Sequence, residues 1–263
     1  KNGERPFQTG FTGFTGYGGK EKILISHECS LRLKELAKEM DCSVFNLLIS
    51  ILGILLSKYS GENDVCIGIP VSNRRIHPSL SDIFGMFVDT SVARFKIDGN
   101  NNFKQFISYA KDVVKNAIIH SSLPFDKIVD AVKPERFSNI NPLFQVALSS
   151  LNGTAIPFEL EGIQCKRITT PEGISPFDLT FFLWENGEKI VGEIEFNIDI
   201  LKRNTVIRLK RHFAYLADSL TKDPGKKLNT VSLVNEEEKK ILFSFTDTKS
   251  DYPREKTIVE LFR

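Results

Sequence analysis

The hydrophobic and polar positions follow two different periods along the chain, which predicts a mixture of strands and helices. Alternation with a period of two, and short apolar runs of similar length, are typical of strands. Such segments are Glu21–Ser26, Val65–Val71, Ser91–Ile97, Leu143–Ser149, Gln164–Ile168, Phe177–Trp184 and Val191–Asn197. Strands and helices do not alternate evenly, so the pattern favours an α/β fold of the α+β sandwich type. We expect a mixed or largely antiparallel sheet covered by helices.

The helical segments place apolar residues three and four positions apart, which gives each helix one buried face. Asn102–Ser121 is the clearest example, and Asn204–Thr221 is the last long helix. A first helix covers Leu31–Met40, and Pro124 opens a short helix that ends near residue 132. The helix that follows Ser43, its predicted N-cap, is apolar nearly all round, so we expect it at the centre of the core.

Composition and charge narrow the functional classes. The 263 residues include 35 Lys+Arg and 33 Asp+Glu, a formal net charge of +2. This balance argues against a nucleic-acid partner held by a general positive field. No apolar run reaches the roughly 18 residues that span a bilayer, and no signal-peptide pattern follows Lys1, so we expect no membrane partner. The 21 Phe against one Trp predict a phenylalanine-rich core.

The four cysteines predict a reducing environment. Cys29, Cys42, Cys66 and Cys165 form no C-x-x-C pair and have no metal-like spacing with histidine. We therefore expect free thiols, no metal and a cytoplasmic location.

A search for catalytic motifs leaves the chemistry open. The sequence has no G-x-S-x-G, no H-E-x-x-H, no phosphate loop and no dinucleotide fingerprint. His120 is interpreted as a cation at the negative end of a helix. The basic Asn73-Arg74-Arg75 is either a solvated turn or a site for a carboxylate or phosphate. Residue spacing alone thus predicts an α/β domain without a specific function.

Several collinear segments nevertheless resemble condensation domains of nonribosomal peptide synthetases, over essentially the whole chain. The two most specific are I-G-I-P-V-S-N-R at 67–74 and F-G-M-F-V-D-T at 84–90. Further matching segments are H-S-S-L-P-F-D-K-I-V-D at 120–130, P-E-R at 134–136, N-P-L-F-Q-V at 141–146 and F-D-L-T at 177–180. The resemblance implies peptide-bond formation between thioesters, on a fold of two chloramphenicol-acetyltransferase-like lobes with a tunnel between them.

The resemblance also implies a division of the chain. Residues 1–19 resemble a glycine- and aromatic-rich spacer between lobes, and residues 20–233 resemble the C-terminal subdomain of a condensation domain. Residues 234–263 resemble the linker and the start of an adenylation domain. The family motif H-H-x-x-x-D-G, which carries the catalytic histidine, does not occur in this sequence. We therefore expect one lobe, the acceptor-side half, with no catalytic residue of its own and no condensation activity in isolation.

Eight residues are predicted to line the substrate tunnel, from the matching motifs and the start of the central helix. Asp89 and Thr90 are the first candidates, and the family usually has Asn at the position of Asp89. Arg74 is expected to orient its loop through a salt bridge rather than to bind substrate. The remaining candidates are Ser72, Asn73, Ser43, Asn46 and His120.

The implied partners are an N-terminal condensation lobe, peptidyl carrier domains and a downstream adenylation domain. Substrates would be carried on the phosphopantetheine arms of the carrier domains, with no cofactor bound directly. Three alternatives stay open. They are a noncatalytic platform that docks carrier domains, an epimerisation domain, and an acyltransferase that uses coenzyme A on the same fold.

Overall fold

A computed structural model describes residues 18–76, 78–80, 82–136, 141–150, 175–246, 248 and 255–262. The chain divides into two compact units, Lys1–Leu233 and Val234–Arg263. Several features predicted from the sequence lie outside the described residues. They are most of the predicted spacer, the predicted strand Gln164–Ile168, His77, Cys165 and much of the segment resembling an adenylation lead-in.

The described residues of the first unit form one six-stranded mixed sheet. Its strands are β1 (Gly18–Leu24), β2 (Asp64–Ser72), β3 (Val88–Lys96), β4 (Val146–Ser150), β5 (Leu179–Asn186) and β6 (Lys189–Asn197). Their order across the sheet is β1-β6-β5-β4-β2-β3. The short central strand β4 runs parallel to both β2 and β5, and the other neighbours are antiparallel. The predicted fold class is therefore confirmed.

A narrow seam joins two parts of this sheet. β2 and β4 are in register at only two positions, Ile67 opposite Val146 and Gly68 opposite Ala147. On one side of the seam lies the β2–β3 hairpin. On the other side lie β4, the β5–β6 hairpin and β1. The ring of Phe144 fills the space above Gly68, where a Cβ would lie 2.2 Å from its Cε2 atom.

Five helices lie among the described residues of the first unit. They are α1 (His27–Glu39), α2 (Val44–Ser60), α3 (Phe103–Ile119), α4 (Phe125–Val132) and α5 (Arg203–Lys222). Short 3-10 turns lie at Asn73–Ile76, Pro78–Leu80 and Leu228–Thr230. In the second unit, α6 (Glu236–Thr246) begins with three consecutive glutamates, and α7 (Ile258–Leu261) follows it.

The core explains why α2 is apolar on all sides. All of its residues from Asn46 to Ser57 are buried, and it packs against α1, α3, α5 and β2. Ser43 caps its first turn, and Gly61 ends it in the left-handed conformation with φ 76°. Alternate strand residues join the same core, so α1, α2, α3 and α5 pack on one face of the sheet. Phe125 of α4 instead packs against Phe144, which covers Gly68 on the other face. The predicted phenylalanine-rich core is confirmed, since seven Phe side chains are among the largest fully buried ones.

Several predicted element boundaries were wrong. α1 begins at His27 instead of Leu31, and β3 begins at Val88 instead of Ser91. β1 begins at Gly18 instead of Glu21, so the last two glycines of the predicted spacer belong to the sheet. Gly19 lies beside Phe196, where a Cβ would be 2.5 Å from the ring, so this strand position requires glycine. β4 begins at Val146 instead of Leu143.

Within the described residues, no single helix is long and apolar enough to cross a membrane. α1 and α2 meet the length and composition criteria only as a pair, which is bent by 110° between them.

Candidate functional site

All eight predicted tunnel residues lie at one end of the first unit. β2 ends and β3 begins there, because Ser72 pairs with Val88 across the antiparallel hairpin. α2 starts at this end, and α3 finishes at it. The turn after α3 is hydrogen-bonded to the residue that follows β2, which brings the helix and strand termini together. We call this region the β2–β3 rim.

Asn73 joins three segments at the rim. Its backbone N–H donates to the carbonyl of Phe87 over 2.7 Å, which closes the loop between β2 and β3. Its side-chain amide donates to the carbonyl of Ser121 over 3.4 Å, and the hydroxyl of Ser121 donates back to the amide oxygen over 3.1 Å. Ser121 is buried, so this reciprocal pair satisfies polar groups that would otherwise lack a partner. Asn73 therefore fixes the end of α3 relative to the sheet.

Arg74 orients its loop, but the predicted salt bridge has no counterpart within the described residues. Its guanidinium donates to three backbone carbonyls, those of Leu80 (2.9 Å), Ile83 (2.6 Å) and Gly85 (2.8 Å). The same group lies 4.5 Å from the ring centroid of Phe87. A guanidinium has five donors in a planar fork and a positive charge that an aromatic face attracts, so one side chain makes all of these interactions.

Asp89 and Thr90 are adjacent on β3, so their side chains point to opposite faces of the sheet. Asp89 lies on the face shared with the buried Phe95, and one of its carboxylate oxygens accepts the N–H of Thr90 over 2.7 Å. Thr90 lies on the other face, in line with Arg94. Both are half-buried. The two residues thus do not form a single pair on one face of the sheet.

Ser43 and Asn46 lie in a cleft between the start of α2 and the last turns of α3. The hydroxyl of Ser43 accepts the N–H of Asn46 over 3.3 Å and donates to its side-chain oxygen, which confirms the predicted N-cap. The cleft has a volume of about 550 Å³. Its other lining residues are Asp41, Cys42, Lys111, Val114, Lys115, Ile118 and Ile119. Burial raises the pKa of the Cys42 thiol, so this thiol is a poor nucleophile near neutral pH.

His120 ends α3, as the sequence predicted, and its side chain is exposed to solvent. Its backbone N–H donates to the carbonyl of Asn116 over 3.1 Å. The other two described histidines lie away from the rim. His212 Nδ1 is 2.6 Å from the hydroxyl of Tyr59 inside the core, and His27 is 3.6 Å from Glu188. Among the described residues, no group of three or more His, Cys, Asp or Glu could hold a metal ion.

Two buried polar residues that were not among the predicted site residues lie at the start of β5, away from the rim. Asp178 is 4% exposed, and burial raises the pKa of its carboxyl to about 7. Thr180 is 2% exposed, and its hydroxyl has no hydrogen-bond partner within the described ranges. The available signal was the F-D-L-T segment. It places an Asp, a residue type that is rarely fully buried, within an apolar predicted strand.

Comparison with known proteins assigns the family. A family model for the condensation domain matches residues 14–243. The chain belongs to the condensation domain family. It is 32% identical over 246 residues to Bacitracin synthase 3 of Bacillus licheniformis, which covers 93% of this chain and 4% of that protein. It is 33% identical over 261 residues to Gramicidin S synthase 2 of Brevibacillus brevis, which covers 98% of this chain and 6% of that protein.

Solved structures share the fold. A four-domain nonribosomal peptide synthetase bound to AMP and glycine has a TM-score of 0.72 at 24% identity, covering 84% of this chain and 18% of that one. The X-domain from teicoplanin biosynthesis has a TM-score of 0.76 at 20% identity, covering 82% and 50% of the two chains. The chain therefore spans about half the length of that single-domain neighbour and a small part of the curated synthetases.

Proposed function

We propose that this chain is the acceptor-side lobe of a condensation domain in a nonribosomal peptide synthetase. The supporting observation is that all eight predicted tunnel residues lie at the β2–β3 rim of a chain that belongs to the condensation domain family. The proposed reaction forms an amide between two thioesters that are carried on the phosphopantetheine arms of separate carrier domains. A linker after residue 233 would lead into an adenylation domain.

The reaction is an acyl transfer. The amine of the acceptor aminoacyl thioester attacks the thioester carbonyl of the donor, so a C–N bond forms and the C–S bond breaks. The donor carrier's thiol leaves, and the proton lost from the amine balances it. This step needs two aligned thioesters, a group to accept the proton and donors for the developing oxyanion.

The histidine that handles the proton would come from a second lobe, because the H-H-x-x-x-D-G motif does not occur in these 263 residues. This lobe would provide the facing wall. Thr90 supplies a half-buried hydroxyl beside the rim, and the carboxylate of Asp89 is already held by the adjacent N–H. We assign Thr90 to substrate alignment and Asp89 to the local geometry of β3.

The proposal is tested with the complete two-lobe domain and two loaded carrier domains, by measuring dipeptidyl thioester with mass spectrometry. We expect product from the complete domain and none above background from residues 1–263 alone, because the motif that carries the catalytic histidine does not occur in this sequence. Thr90→Val should lower the rate roughly fivefold, the loss of about one hydrogen bond. Thr90→Ser, which keeps the hydroxyl, is the matched control. Dipeptide formed by residues 1–263 alone would contradict the proposal.

A second candidate function is a noncatalytic docking platform. One observation favours it: the X-domain of teicoplanin biosynthesis in complex with OxyB matches this chain with a TM-score of 0.77 at 20% identity, over 87% of this chain and 52% of that one. The same assay separates the candidates. A complete protein that binds loaded carrier domains but forms no dipeptide would support the platform.

A further inference from the structure

A small cavity lies beside the end of α2, at the end of the first unit opposite to the β2–β3 rim. We call it the α2-end cavity. Its volume is about 300 Å³, at the lower limit of the range for ligand cavities. At roughly 30 Å³ for each heavy atom, as in liquid water, it has room for about ten. Its lining residues are Ile54, Ser57, Lys58, Gly61, Asn63, Ile97, Gly99, Leu228 and Asn229. None of them is a predicted tunnel residue, so this cavity is a separate site.

Backbone hydrogen bonds between distant segments close the wall of the α2-end cavity. The N–H of Asn229 donates to the carbonyl of Gly99 over 3.0 Å. The N–H of Ile97 donates to the carbonyl of Asn63 over 2.7 Å. The segment after α5 and the segment before β2 are thereby both joined to the end of β3. Because these bonds form the wall without a ligand, binding requires little further ordering of the chain.

The lining combines apolar walls with one cation. The side chains of Ile54, Ile97 and Leu228 are buried. Lys58 is half-buried in the last turn of α2, and no ion pair or hydrogen bond of its ammonium occurs within the described residues. Burial lowers the pKa of the Lys58 ammonium from its ordinary value of 10.5, and no neighbouring carboxylate raises it. The cavity therefore holds a partly desolvated positive charge beside apolar surface.

The last turn of α1 provides a comparison for Lys58. Lys38 occupies the last turn of that helix, and its side chain is exposed. A lysine at the end of a helix interacts favourably with the helix dipole while its ammonium stays in water. Lys58 bears a desolvation cost that Lys38 does not, and the dipole does not require it. An anion placed beside Lys58 would offset this cost.

We propose that the α2-end cavity binds a short aliphatic carboxylate, with Lys58 as its charge partner and the apolar walls around its hydrocarbon chain. Asn63 and Asn229 also line the cavity, and their side-chain amides can donate to the carboxylate oxygens. This inference does not depend on the proposed condensation function.

The charges of the lining favour a carboxylate over other small ligands. Among the described lining residues there is one cation and no Asp or Glu. An amino acid would bring an ammonium into the cavity with no carboxylate to pair with it. A phosphate is usually bound by several cationic or N–H donors, which one lysine does not supply. A neutral molecule would leave the ammonium of Lys58 unpaired. A ligand with a single negative charge and an apolar chain is the best complement.

Three probes of similar shape test the proposal on the wild-type chain. Isocaproate, its neutral amide isocaproamide and the amino acid leucine share one branched hydrocarbon chain. In a two-dimensional NMR titration of residues 1–263, isocaproate should shift the backbone amides of Gly61, Gly99 and Asn229. We expect a Kd of about 1 mM, ordinary for so small a ligand. Isocaproamide and leucine should bind at least about tenfold more weakly, because neither offers an uncompensated negative charge.

Two results with these probes would overturn the proposal. The first is equal binding of isocaproate and isocaproamide, which would show an apolar cavity without selection for charge. The second is the lack of a saturable shift at Gly61, Gly99 and Asn229, including the case in which only other residues respond.

Lys58→Met tests the charge partner. The substitution removes the cation and keeps an unbranched side chain, so it should weaken isocaproate binding about tenfold. The same substitution should not weaken isocaproamide binding, because the neutral amide makes no ion pair. Lys38→Met is the matched control in the last turn of α1, and it should leave the Kd for isocaproate within about twofold. An unchanged Kd for isocaproate in Lys58→Met would reject Lys58 as the partner and overturn the inference.

Discussion

The two ends of the β2–β3 hairpin are each held by an arginine, and the two arginines work differently. At one end Arg94 makes a bidentate pair with Asp64, at 2.8 and 2.7 Å, in which both side chains are largely exposed. At the other end Arg74 binds three backbone carbonyls and has no carboxylate partner within the described residues. The first joins two regular strands that already pair. Arg74 fixes an irregular loop backbone that makes no strand pairing. Replacing Arg74 should therefore change the conformation of this loop more than the free energy of unfolding.

The largest effect should come from the middle of β2, between the two arginines. Gly68→Ala should destabilise the protein by about 3 kcal/mol, because the new Cβ would lie 2.2 Å from the Phe144 ring in a packed region. Urea unfolding measures the change.

Gly53→Ala is the matched control for this substitution. A Cβ at Gly53 would lie 3.8 Å from the nearest atom, within a helix interior, so stability should rise by up to about 1 kcal/mol. Equal effects at the two glycines would show that the Phe144 ring does not close the seam.

Glu21 on β1 is a third charged residue that joins two elements. It differs from the exposed Arg94–Asp64 pair because it is buried. Its side chain is 8% exposed and accepts hydrogen bonds from Lys210 and Arg203 of α5. These partners, Lys210 first, hold the pKa of the Glu21 carboxyl below its ordinary value of 4.5. Glu21→Gln should therefore cost about 2 kcal/mol at pH 7, between the values typical of exposed and fully buried pairs.

The lowered pKa of Glu21 also predicts how the effect of Glu21→Gln changes with pH. A carboxyl with a lowered pKa in the folded state stabilises the protein above its unfolded pKa, and this contribution is lost as the pH falls through the folded value. The difference between the wild type and Glu21→Gln should be full at pH 7 and shrink progressively below about 4.5. Glu193→Gln, on the adjacent strand, is the control. A difference that stays constant down to pH 3 would rule out the ion pair as the cause.

The smallest effect belongs to the exposed pair. Arg94→Ala should cost about 0.5 kcal/mol, and less at 1 M salt, because the pair lies in solvent and is screened. Hydrogen exchange of residues 82–88 should be unchanged in this variant and faster in Arg74→Ala. Similar exchange in both variants would remove the contrast between the two arginines.

Local sequence signals predicted the elements that depend on local physics. The apolar circumference of α2 placed it in the core, and Ser43 was identified as its N-cap because a hydroxyl at that position can accept an exposed N–H. β1 was placed three residues too late, because a glycine run is typical of a linker. Pairing with β6 and the approach of Phe196 to Gly19 are tertiary features that the local pattern does not contain.

For the site residues, too, the sequence predicted some features and did not contain the information for others. Motif resemblance and the start of the central helix together selected eight residues that the fold brings to one rim, including Asn73 and the turn of His120, which are 47 positions apart in sequence. It did not reveal the partners of Arg74, because backbone carbonyls carry no sequence signal. The face on which Asp89 and Thr90 each lie also required the strand register, since a shift of one residue exchanges the two faces.

The two-position seam between β2 and β4 has a mechanical consequence. A junction paired at only two positions constrains the angle between its two sides less than a full ladder would, so the hairpin can tilt about it together with α3, which packs against β3. Asn73, Arg74 and residues 83–88 would then move together, while Glu21 on β1 keeps its position. Slight flexing at mid-sheet would therefore displace the rim without unfolding any element.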